Sequence, residues 1–98
     1  MSIDLIRVVL ADDHSVVRAG LKAVLGAARD IEVVGEASDG GEAVALVELL
    51  QPHVVVMDLS MGKMDGRAAT QAIVASGTAT KVLVLTCLLY TSPSPRDS

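Results

Sequence analysis

Ninety-eight residues give room for one small domain with a single modest core. Half the chain is hydrophobic (51%), drawn almost wholly from Ala, Val, Leu, Ile and Met with no Phe or Trp and one Tyr, a palette suited to thin α/β layers. A net charge of -4 with eight scattered Lys and Arg excludes a nucleic-acid surface within these residues, and the lone Cys87 excludes an internal disulfide.

No run approaches the roughly 18 apolar residues of a membrane span, and Met1-Ser2-Ile3-Asp4 carries an early acid unlike a signal peptide, so the sequence reads as cytoplasmic with no membrane contact. The first strand is Val8-Val9-Leu10-Ala11, ending at Asp12-Asp13. Val17, Leu21, Val24, Leu25 and Ala28 form one face of a helix from about Ser15 to Ala28, which His14-Ser15 can cap. Ile31 to Val34 reads as a second strand, and Ser38-Asp39-Gly40-Gly41 as the turn into a helix with Ala43, Leu46, Val47 and Leu50 inward, closed by Pro52. His53 to Asp58 is a third strand, Arg67 to Ser76 a third helix and Lys81 to Thr86 a fourth strand. Near-continuous apolar strands alternating with amphipathic helices predict a doubly wound parallel sheet, a three-layer α/β sandwich of the flavodoxin-like kind.

The pattern stops after Thr86. From Cys87 to Asp97 the chain is similar to a translated transposase-type sequencing adapter, so residues 87–98 are expected to be a non-native tail and Thr86 the last native residue.

If these strands are parallel, Asp12, Asp13, Asp58 and Thr86 converge at one edge of the sheet. The acid pair alone could merely cap the following helix. Asp58, after a third apolar run, shifts the balance: three carboxylates in one crevice repel unless a cation compensates, and Mg²⁺ accepts such ligands while keeping waters and a phosphate oxygen. His14 would suit a transition metal, but no second histidine is near it in sequence; His53 opens a strand at the opposite end and reads as structural. Gly40-Gly41 belongs to neither a G-x-x-x-x-G-K-[ST] nor a G-x-G-x-x-G motif.

From Ile6 to Thr86 the chain resembles the receiver domain of bacterial two-component response regulators, most closely the branch that precedes a LuxR-type helix-turn-helix. The residues carrying the likeness are Val8 to His14 with Val16 to Leu21, Val33 to Gly40, Val56 to Met61 with Met64-Asp65-Gly66, and Val82 to Thr86. The resemblance implies the CheY-like form of that sandwich, truncated after strand four, with Asp58 as the phosphoacceptor for a sensor histidine kinase. It also implies Mg²⁺ held by Asp12, Asp13, Asp58 and the Ser60 backbone carbonyl, with Thr86 as the switch hydroxyl that binds the phosphate. Residues 1–86 would then be an incomplete receiver lacking strand five, helices four and five and the family's phosphate-binding lysine, for which Lys63 and Lys81 are poor substitutes. Gly62 stands where the family usually has proline. The implied output is transcriptional, through DNA contacts of a missing C-terminal domain, with a receiver homodimer when intact and no catalysis beyond self-phosphorylation and dephosphorylation.

Two other classes compete. An aspartyl-phosphate phosphohydrolase of the haloacid-dehalogenase type would need an acid two residues after the nucleophile, where Ser60 stands. A flavodoxin-like small-molecule binder would have to place a flavin phosphate against clustered acids.

Overall fold

The computed structural model describes residues 5–58 and 66–85. Within them the chain alternates strand and helix: β1 (Ile6–Ala11), α1 (Ser15–Gly26), β2 (Ile31–Ala37), α2 (Gly40–Leu50), β3 (Val54–Asp58), α3 (Gly66–Ala75) and β4 (Lys81–Leu85). The four strands form one parallel sheet in the order β2-β1-β3-β4. The expected doubly wound topology is present. Ser60, Gly62, Lys63, Thr86 and the boundary before the expected tail lie outside the described residues.

Strand alternation divides the core. Val9, Ala11, Val55 and Met57 point to one face, where Ala43 and Val47 of α2 and Ala69 and Ile73 of α3 close over them. Their neighbours Val8 and Leu10 are equally buried on the other face, the face of α1. The two faces are not equally covered. Helices α2 and α3 each bury residues completely, whereas α1 buries none, and Val24, expected on its inner stripe, is 70% exposed. Val17, Leu21, Leu25 and Ala28 remain half-buried. Val24 sits at the margin of that stripe, and a single helix over β1 and β2 leaves the margin facing water.

Local chemistry sets the helix ends. Asp39 caps α2 by accepting from the Glu42 amide at 2.9 Å, while Glu42 Oε1 accepts from the Ser38 amide and hydroxyl at 2.7 and 2.8 Å, a reciprocal arrangement of the capping-box kind. The other end of α2 turns through Gln51 in the left-handed region (φ 47°), and Arg7 donates to the Leu50 and Gln51 carbonyls at 2.6 and 2.7 Å. Gly35 lets α2 sit close on β2, since a Cβ there would lie 3.2 Å from Leu50 Cδ1.

Strand β2 runs three residues past the apolar stretch that announced it, because its pairing with β1 continues to Ala37, across a bulge that shifts the register: Val8 pairs with Val33, but Val9 pairs with Gly35. Past the bulge Glu36 lies beside Leu10 and Ala37 beside Ala11. One extra residue thus turns Glu36 onto the α1 face.

Candidate functional site

Register builds the site. Ala11 pairs with Met57 across β1 and β3, so the next residues, Asp12 and Asp58, leave neighbouring strands side by side and on the same face. Both are buried, at 4% and 3% exposure, while Asp13 lies one residue further out and is exposed. Asp58 pairs in turn with Leu85, the residue before Thr86. One ligand atom from each of Asp12, Asp13, His14 and Asp58 falls within 4.8 Å of the others.

Three hydrogen bonds that involve the main chain hold Asp12. Its amide donates to the Ala37 carbonyl at 3.0 Å, its Oδ1 accepts from the His14 amide at 2.8 Å, and its carbonyl accepts from the Arg18 guanidinium. The chain therefore turns sharply after β1, and α1 starts at Ser15 without a side-chain cap. The His14 ring, expected to help cap that helix, instead faces the acids. Its Nδ1 is 2.9 Å from both Asp12 Oδ1 and Asp13 Oδ1 and 3.9 Å from Asp58 Oδ2. The hydrogen bond to Asp12, followed by the charge of Asp13, raises the imidazole above its ordinary value of 6.5.

The donor set fits a hard divalent cation. Oxygens around one Mg²⁺ at about 2.1 Å are spread over roughly 3 to 4 Å, and the carboxylate oxygens here lie within 4.8 Å of one another. The ring nitrogen of His14 already sits between two of the three acids, 2.9 Å from each. A carboxylate that is buried, fixed by its strand and set beside two metal-seeking acids is equipped to be a nucleophile toward a phosphoryl group.

Of the residues singled out from sequence, Asp12, Asp13 and Asp58 come together, whereas Ser60 and Thr86 lie outside the described residues. His53 sits at the far end of the sheet, where its Nδ1 accepts from the Arg7 amide at 2.9 Å. Sequence reasoning missed Arg18 and Glu36 as neighbours of the acids. A signal for Arg18 existed: four residues after His14, it falls one turn into the helix that follows the acid pair. For Glu36 there was none, because its direction depends on the bulge.

Comparison with known proteins gives a consistent picture. The family model for the response regulator receiver domain matches residues 8–91. The transcriptional regulatory protein LiaR of Bacillus subtilis is 52% identical over 85 residues, covering 87% of this chain and 40% of that protein. Among solved structures, the signal receiver domain of NarL from Mycobacterium tuberculosis superposes with a TM-score of 0.83 at 33% identity, covering 92% of this chain and 71% of that one. A LuxR-family two-component response regulator from Aurantimonas superposes with a TM-score of 0.80 at 36% identity, covering 85% of this chain and 59% of that one. The chain thus spans about two fifths of the length of LiaR.

Proposed function

The chain belongs to the response regulator receiver domain family, and from that premise we propose that Asp58 accepts a phosphoryl group from the phosphohistidine of a sensor kinase. The observation that carries this reading is the register placing two buried acids side by side, with a third within 4.8 Å. A carboxylate oxygen of Asp58 attacks phosphorus, the phosphorus–nitrogen bond of the donor breaks, and an acyl phosphate remains on Asp58 while the imidazole leaves. Asp12 and Asp13, with Asp58 and the Ser60 carbonyl, would hold Mg²⁺, which when bound neutralises charge on the transferring oxygens. Strand β3 orients the nucleophile, and burial of Asp58 to 3% exposure restricts its carboxylate. Thr86 would donate its hydroxyl to the new phosphate, and that movement is the switch passed to a partner surface.

The homologues are regulators, and catalysis in this reading is confined to self-phosphorylation and slow dephosphorylation. LiaR is named a transcriptional regulator; by that likeness the output here is control of transcription in the cytoplasm. DNA contacts would come from a further domain, with a receiver homodimer in the intact protein. In the same reading residues 1–86 would make up the receiver portion and 87–98 an adapter-derived tail. Among the described residues no helix is long and apolar enough to cross a membrane.

The test is incubation with acetyl phosphate and Mg²⁺ followed by intact-mass measurement. One phosphoryl group should be gained, and none in the Asp58→Ala variant or in excess chelator. Equal gain in Asp58→Ala would refute the assignment.

A further inference from the structure

Arg18 occupies an unusual position between the acidic site and the outer strand. Its side chain is only 19% exposed and reaches two acceptors at once: Nη1 donates to the Asp12 carbonyl, and Nε donates to Glu36 Oε1 at 3.2 Å. Lys22, one helical turn further along α1, donates to the other oxygen of Glu36 at 2.9 Å. The chain of contacts runs from Lys22 to Glu36 to Arg18 to the peptide joining the two acids. The β2 bulge is what turns Glu36 toward α1.

Of the three hydrogen bonds that hold Asp12 through the main chain, two come from the strand edge and its own turn, through Ala37 and His14. The third, from Arg18, is the one that ties the acid pair to a helix. Fixing the Asp12 carbonyl fixes the peptide plane between Asp12 and Asp13, and that plane sets the directions in which the two carboxylates leave the backbone. The planar guanidinium presents its donors at fixed angles to Asp12 and Glu36 together, whereas a lysine ammonium is a compact charge on a flexible stem and is less preorganised for both.

We infer that Arg18 is a positioning residue for the acid pair, clamped in place by Glu36, and that it sets the affinity of the site for a divalent cation. This inference rests on the metal-binding reading above. It concerns neither the ligands themselves nor the nucleophile, and it places an acid of the second strand, Glu36, in the outer shell of the centre.

The experiment measures Mn²⁺ binding to the full 98-residue chain by the loss of the free-ion EPR signal, with Mg²⁺ as competitor. Thermal melts in chelator are recorded for every variant, and titrations are run well below each midpoint. Arg18→Gln should weaken Mn²⁺ and Mg²⁺ about tenfold, the lower end for outer-shell partners of a metal site. Arg18→Lys should recover part of that loss, Glu36→Gln should weaken binding by a smaller factor in the same direction, and Val74→Ala, exposed on α3 and outside this chain of contacts, should leave it within about twofold. Wild-type affinity in Arg18→Gln, or full recovery in Arg18→Lys, would overturn the inference. So would a loss in Arg18→Gln matched entirely by its unfolded fraction; in that event a Glu36→Gln protein that melts like the wild type yet binds as tightly confirms the refutation. Failure of the underlying reading looks different: the wild type would bind no Mn²⁺, or Asp13→Asn would bind it equally well.

Discussion

Replacing Asp12 by Asn separates what the acids cost the fold from what they contribute to the site. Two unit charges 4.8 Å apart repel by about 3.5 kcal/mol at an effective dielectric of about 20, and the ligand atoms here are no farther apart than that. Asp12 faces two such neighbours. Asp13 is exposed and largely screened, and a neutral oxygen at position 12 accepts less strongly from the His14 amide, which offsets part of the remainder. The asparagine keeps an oxygen for the His14 amide, so the turn after β1 survives. Net relief on the order of 2 kcal/mol is expected, an upward shift of roughly 10 °C in the melting midpoint of a domain this size. The assay is thermal unfolding followed by circular dichroism, in chelator and then in Mg²⁺. The wild type should gain about 2.7 kcal/mol when Mg²⁺ is a hundredfold above its Kd, and Asp12→Asn should gain far less. In chelator the variant should be the more stable protein; in saturating Mg²⁺ the order should narrow or reverse. A variant that melts at or below the wild type in chelator would refute the electrostatic account of the cluster.

Other consequences follow from the same geometry. Ile73→Ala empties a fully buried position between α3 and the sheet and should cost about 3 kcal/mol in urea unfolding, whereas Val74→Ala, 67% exposed on the same helix, should cost under about 0.5. Glu36 is held below its ordinary 4.5 by the hydrogen bond from Lys22 above all, and Glu42 by the Ser38 amide. Their folded values lie below the unfolded ones, so both stabilise the fold above pH 4.5 and lose that contribution as pH falls through the folded values; urea midpoints measured across that range should fall, and less steeply in Glu42→Gln. Strand β4 pairs only with β3 among the described residues and leaves Leu83 57% exposed, so Leu83→Lys should lower concentration-dependent association in sedimentation without lowering the melting midpoint.

The legible parts of this molecule are those written in local pattern. The apolar runs Val54 to Met57 and Val82 to Leu85 are strands wherever they pack, and Asp39 with Glu42 marks a helix start from sequence alone. The gathering of Asp12, Asp13 and Asp58 was also readable, because strand ends in a parallel sheet share an edge. What could not be read depends on contacts between distant segments. β2 continues to Ala37 because it pairs with β1, although Gly35 and Glu36 weaken its strand pattern. Helix α1 stops at Gly26, two residues before its apolar stripe ends at Ala28. His14 turns to the acids because two carboxylates attract its ring more than the helix start does. Glu36 meets Arg18 only through a bulge that no periodicity announces.

The central claim is that Asp58 is the residue that receives the phosphoryl group. It is tested most directly by phosphorylating the chain with acetyl phosphate and Mg²⁺, reducing the acyl phosphate with borohydride, and sequencing the peptides by mass spectrometry. Reduction converts a phosphorylated aspartate to homoserine and leaves unmodified carboxylates alone. The account predicts homoserine at position 58 and nowhere else, dependent on Mg²⁺. Homoserine at position 12 or 13, or none at 58 in protein that has gained a phosphoryl group, would contradict it.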